Sequence, residues 1–393
     1  MNTKQKTVNN FVKLACLYPV FFVSVTIFFS ILVVVDLPGV LETVTYFLPY
    51  ASFVLATFLF SKLKNRKQKG LSGSNEVRII EFVFVASALS LFFQYKSLFG
   101  EYGSIEQILL SAFDIRQELI GQSVSIFPWW IGYLFSFSYF GLALLLSTEV
   151  ILGWRKFTLV VSLFLMILFY DLATFGRVGT IFAIFILISH IVLAKGMMAF
   201  LKIRFISLMC MLFMLSSLAR LLRGSFDNFE GSIDFKMRSI ESFSVFNGIL
   251  VAMKYFTESF FAFSKKINIV FEYEFGGRNF IVIDNFLSKF TGGFYKNRID
   301  EMVAIPFDAN IYGIQWDLYL DFGIWGLVIF PFVWAGVIIY FLKSNSCIDR
   351  SAGLLLIAGY LFWPIFNIYT FGGMFMALVI AMLFSFIEKL RIK

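Results

Sequence analysis

The sequence predicts an all-α polytopic integral membrane protein with about ten transmembrane helices, both termini in the cytoplasm and one long extracytoplasmic loop. Three observations lead there. Of 393 residues, 59% are hydrophobic and only 15% charged, against roughly 25% charged in soluble domains, so no water-soluble core absorbs this much apolar surface. The apolar residues come in runs close to the length of about 20 that a helix needs to cross hydrocarbon. Lysine and arginine cluster between those runs, where the positive-inside rule puts them, so the net charge of +8 reflects membrane topology and nucleic acid is not expected as a partner.

Taken in order, the spans are expected near residues 11–35, 40–61, 79–99, 128–153, 157–174, 178–194, 204–221, 318–342, 351–368 and 373–389. The first is read as an uncleaved span, because its apolar stretch follows Cys16, whereas a lipoprotein leader has its apolar stretch before the cysteine. Only Phe175-Gly176-Arg177 separate the fifth and sixth, which predicts a tight hairpin, with one interrupted pair as the alternative. Residues 1–221 thus carry seven spans, 222–309 a large extracytoplasmic loop and 310–393 three more spans. Orientation follows from Lys62, Lys64, Arg66, Lys67 and Lys69, which the rule places inside, while the short outer connections carry only Arg116 and Arg177. Lys96, in the third span, snorkels outward.

Two outer segments show local pattern. Ile105, Leu109, Ala112, Ile115 and Leu119 recur at helical spacing within 100–127. Residues 240–263 are rich in Phe, Ile and Val with Lys254 and Glu258 interleaved, which fits either a helix lying at the interface or a lid packed on the bundle. Phenylalanine, present 54 times, adds bulk and no chemistry.

Several function classes drop out. Cytoplasmic loops are too short for a nucleotide-binding domain, and neither a Walker-type nor a Rossmann glycine pattern occurs. Cys16, Cys210 and Cys347 lack metal-ligand or disulfide spacing. The single histidine, His190, falls near the cytoplasmic end of the sixth span, so neither a zinc site nor a Ser-His-Asp arrangement is expected on the outer face. No metal and no cofactor are predicted.

Candidate chemistry gathers on the outer side. From Asp308 to Gly326 the chain enters the eighth span, and if the segment is helical throughout, Asn310, Asp317 and Asp321 fall within about 40° of one another at about 100° per residue. A carboxylate at membrane depth costs about 2.5–3.5 kcal/mol, so Asp321 should face a cavity or a cation. The alternative makes Asp317 and Asp321 a solvated helix start, with Gly323 and Gly326 permitting close helix packing. Arg177, in the short connection, can give a phosphate two hydrogen bonds, pair with Asp171 or anchor to headgroups. Arg220 and Arg223 flank the outer end of the seventh span, and Arg278 follows in the long loop behind Gly276-Gly277.

Asn310-x-Tyr312, then Asp321-Phe322-Gly323 and Gly326 at the head of a late span, resemble the Wzy-type oligosaccharide repeat-unit polymerases. Gly176-Arg177 before another span and Arg223-Gly224 opening the long loop are similar to the same family, whereas Gly313 stands where relatives often have a hydroxyl residue. The resemblance implies a bacterial cytoplasmic (inner) membrane enzyme that polymerises polyprenyl-diphosphate-linked oligosaccharide units on the outer face. A chain-length regulator and membrane lipids are the partners it implies. Under it, Asp321, Asp317 and Arg177 are the catalytic candidates, and Arg220, Arg223, Arg278, Asn310 and Tyr312 bind substrate. A lipid-linked oligosaccharide flippase and an O-antigen ligase are the competing expectations; ligases of that kind use an outer histidine, and transporters place charges near mid-membrane.

Overall fold

The structure, a computed structural model, describes residues 3–33, 38–63, 73–111, 115, 127–174, 176, 178–196, 257–267, 278–279, 282–283, 303–305, 307–309, 313–364 and 372–391. Its helices are α1 (Thr3–Val33), α2 (Val40–Ser61), α3 (Gly73–Tyr102), the short α4 (Ile105–Leu110), α5 (Trp129–Ser147), α6 (Gly153–Ala173), α7 (Val178–Lys195), α8 (257–266), α9 (Gly313–Leu342), α10 (Cys347–Phe362) and α11 (Gly372–Arg391). Of these, α1, α2, α5, α6, α7, α9 and α11 are long and apolar enough to cross a membrane. The chain is therefore a multi-pass α-helical membrane protein. Seven of the ten expected spans fall on these helices; those expected at 79–99 and 351–368 fall on α3 and α10, which are helical but are not among the seven, and 204–221 lies outside the described residues. One small departure from an all-helical chain is an antiparallel hairpin of β1 (Val303–Ile305) and β2 (Phe307–Ala309), pairing Val303 with Ala309 just before α9.

Bilayer physics explains why these runs are helices: hydrocarbon offers no hydrogen bonds, so the backbone must satisfy itself. Polar side chains follow the same rule. Thr26, Thr57, Ser87 and Ser189 donate their hydroxyls to carbonyls one turn earlier, on Phe22, Phe53, Val83 and Phe185, which hides each hydroxyl inside its own helix. Phe21, Phe28, Leu55, Phe82, Val333 and Phe386 point outward from mid-helix and are exposed, forming an apolar belt larger than a soluble monomer displays. Inside, phenylalanine fills space: Phe53 stacks on Tyr360 at 4.1 Å and Phe135 on Tyr170 at 3.8 Å.

The helix ends form two polar layers. At the end holding the N-terminus of α1, Lys343 Nζ donates to the carbonyls of Phe60 and Ser61 at 3.2 and 2.8 Å and also to that of Leu63, capping the last turn of α2 from the far end of α9. Nearby, Lys389 pairs with the buried Asp349 at 3.4 Å, and Thr148 donates to Glu76 at 2.6 Å. The opposite layer contains the start of α9 and the end of α10, joined where the Ile314 N–H donates to the Trp363 carbonyl at 3.1 Å.

Of the two readings offered for 240–263, the packed one describes α8. Thr257, Glu258, Ser259, Phe260, Phe261, Ala262 and Phe263 are all buried, and Ser259 Oγ lies 2.7 Å from the Tyr46 hydroxyl inside the bundle. Lys254 lies outside the described residues. Of the residues at helical spacing within 100–127, Ile105 and Leu109 are exposed and Ile115 is buried beside Ile108, while Ala112 and Leu119 lie outside the described residues.

Candidate functional site

Asp321 organises the site. It lies eight residues into α9, about 12 Å along the helix, and is completely buried. Its Oδ1 accepts the Arg278 backbone N–H at 3.0 Å, and its Oδ2 accepts the Asn279 backbone N–H at 2.9 Å and the Asn279 Nδ2 at 2.6 Å. Three N–H donors on one carboxylate offset much of the cost of burying the charge. The partner expected for Asp321 was a cavity or a cation. Instead, the backbone of the long loop binds it, so this side chain fastens residues 278–279 to the helix. Arg278 arrives beside α9 by the same contact and is half-buried.

The helix is interrupted immediately afterwards. Gly323 has φ 60 and ψ −149, a conformation that essentially only glycine adopts, and it divides α9 into a short first segment and a longer second one. A Cβ on Gly326 would stand 2.4 Å from the Leu318 carbonyl oxygen. Both glycines therefore serve the break within α9, which corrects the expectation that they permit packing of one helix on another. Gly313, the first residue of α9, has φ 67, and a Cβ there would lie 2.7 Å from the Trp363 carbonyl oxygen. A hydroxyl-bearing side chain at this position meets both obstacles.

The polar stripe survives in part. Asp317 and Asp321, one turn apart on the first segment of α9, share a face; Asp317 is half-buried where Asp321 is fully so. The stripe does not extend back along a continuous helix, because 307–309 are strand and α9 begins only at Gly313. Asn310 and Tyr312 themselves lie outside the described residues, as do Arg177, Arg220 and Arg223.

The surroundings of the α6–α7 turn are described. Asp171, buried near the end of α6, accepts the Thr180 backbone N–H at 2.5 Å and the Thr180 hydroxyl at 2.7 Å, both on Oδ2. Its carboxylate thereby caps the start of α7, where the helix dipole favours a negative charge. Gly179 makes room, since a Cβ there would stand 2.9 Å from Asp171 Oδ1 and 2.2 Å from the Tyr139 hydroxyl. The predicted tight hairpin is present, and Asp171 shapes it.

Deeper in the same layer, Gln315 Nε2 donates to the Tyr50 hydroxyl at 3.0 Å, beside Trp363 and the Tyr46–Ser259 pair. Sequence reasoning missed Asn279, Gln315 and Tyr50. Only Asn279 had a signal, since Gly276-Gly277 ahead of Arg278-Asn279 marks a turn. Among the described residues, no group of three or more His, Cys, Asp or Glu is placed to hold a metal ion. Cys16 and Cys347 are free thiols, and Cys347 opens α10, not the loop ahead of it. In comparison with known proteins, no family model, no curated protein and no solved structure matches this chain.

Proposed function

We propose that the protein is a polysaccharide polymerase of about ten spans, both termini cytoplasmic, that joins polyprenyl-diphosphate-linked oligosaccharide units at the outer face of a bacterial cytoplasmic membrane. One observation supports this above the others: the buried Asp321 fixes Arg278 and Asn279 of the long loop against the first segment of α9. That junction sets a cation and the half-buried Asp317 at one rim of the bundle.

The reaction is a group transfer. A hydroxyl oxygen of the incoming lipid-linked unit attacks the anomeric carbon of the growing chain, the bond from that carbon to the diphosphate breaks, and the diphosphate leaves with the electron pair. Two tasks remain for protein: fixed positive charge for the departing anion and an acceptor for the hydroxyl proton. Arg177, Arg220, Arg223 and Arg278 take the first, and Asn310 and Tyr312 line the sugar path. Asp317 takes the proton, because it is half-buried and can be reached from the rim, whereas Asp321 is fully buried. Asp321 positions. The donor's diphosphate supplies the driving force, so no nucleotide is needed at the site.

Replacing Arg177 by alanine tests the assignment. With expression and membrane insertion preserved, cells should accumulate lipid-linked single units and lack long chains. A normal chain-length distribution removes Arg177 from the mechanism.

A further inference from the structure

A groove of about 570 Å³ opens on the outside of the bundle between α3 and α6. Its α3 wall is one helical stripe of Ala88, Leu91, Phe92, Tyr95 and Phe99, and Met166 of α6 faces it. Phe92 and, nearer the end of α3, Phe99 are exposed side chains on its lipid-facing side. Two hydrogen bonds join the helices at this level: the Tyr95 hydroxyl donates to the Phe169 carbonyl at 3.0 Å and Gln94 Nε2 to the Tyr170 carbonyl at 3.4 Å. The Tyr95 hydroxyl is thus already committed, and among the described residues the charged group on the lining is Lys96.

Lys96 is exposed and forms no ion pair with a described residue. It stands six residues before the end of α3 at Tyr102, about 9 Å below the helix end. From that depth its stem extends along the groove and its ammonium reaches the headgroup level, which avoids the cost of about 2.5–3.5 kcal/mol for leaving the charge in hydrocarbon. The groove therefore offers an apolar channel for a chain, crowned by a single point charge that suits a phosphate. Phe169, bonded to Tyr95, is four residues from the end of α6 at Ala173, so Lys96 lies about one turn below the connection whose sequence contains Arg177.

We propose that this groove binds the hydrocarbon chain of a polyprenyl phosphate lipid, with Lys96 at its phosphate. The choice of a polyprenyl chain rests on the proposed function, whose substrate carries one. The groove then delivers the lipid-linked unit sideways from the membrane to the outer rim.

The test uses the full-length protein in phosphatidylcholine vesicles containing a diazirine-bearing polyprenyl phosphate. Photocrosslinks are expected on peptides spanning 88–99 and Met166, displaced by unlabelled polyprenyl phosphate and not by phosphatidylglycerol at the same mole fraction. Lys96→Ala should weaken crosslinking about fivefold, as expected for one basic residue near a membrane surface. Lys96→Arg should preserve it, and Leu91→Trp should block the groove. Crosslinks elsewhere, unchanged crosslinks in both Lys96→Ala and Leu91→Trp, or equal competition by phosphatidylglycerol would overturn the proposal. The two readings fail separately: groove crosslinks in a protein that does not lengthen glycans refute polymerisation alone, and glycan growth without groove crosslinks refutes the groove alone.

Discussion

Asp321→Ala is the perturbation whose consequences can be worked furthest. The wild-type carboxylate accepts N–H groups at 3.0, 2.9 and 2.6 Å from residues 278 and 279 while fully buried. Hydrogen bonds to a charged group contribute about 1.5–3 kcal/mol each. They share one acceptor and do not add in full, so about 3–6 kcal/mol holds this part of the loop on α9. At about 1.4 kcal/mol per factor of ten, the loop should open about a hundredfold to ten-thousandfold more often in the alanine variant. Hydrogen exchange of peptides containing Arg278 and Asn279, measured in lipid nanodiscs, reads that opening directly. Asp321→Asn should fall between, since its amide retains one accepting oxygen and turns an N–H toward an opposing donor. Unchanged protection in Asp321→Ala refutes the fastening role. Lost chain growth in Asp321→Asn with unchanged protection would instead make Asp321 the proton acceptor.

Asp317→Asn should abolish chain growth and leave exchange at 278–279 unaltered, a pattern that separates a reacting carboxylate from a fastening one. Gly323→Ala forces an L residue into φ 60, ψ −149 and should cost about 1–3 kcal/mol, visible as a lower thermal midpoint in detergent; an unchanged midpoint means the break in α9 is not built on that glycine. Lys343→Met retains the stem and removes the donor to the carbonyls of Phe60, Ser61 and Leu63. A loss of about 2–3 kcal/mol is expected, with faster exchange confined to the end of α2.

Spans were legible because length and hydropathy are local properties of the chain. The second span, expected at 40–61, is α2 at Val40–Ser61, and the hairpin after Asp171 follows from three residues separating two apolar runs. Contacts between distant segments were not legible. Asp321 advertised a need for a partner through its depth alone, yet two of its three donors are backbone amides of residues 278 and 279, which leave no mark in sequence, and the third is the distant Asn279 side chain. The glycines of α9 were misread for a related reason. Gly323 and Gly326 are small enough for close helix packing, but a positive φ at Gly323 and the crowding of Gly326 by the Leu318 carbonyl depend on the folded backbone. Nor did hydrophobic pattern alone place 257–266, where Thr257, Glu258 and Ser259 are as buried as the phenylalanines that follow.

The most direct measurement is reconstitution of the purified protein in liposomes with labelled polyprenyl-diphosphate-linked repeat units presented on one face and no nucleotide. Polymerisation predicts glycans lengthening on the lipid diphosphate, with one diphosphate lipid released per bond formed. Movement of single units to the other leaflet with no change in length would contradict it and assign the protein to lipid translocation.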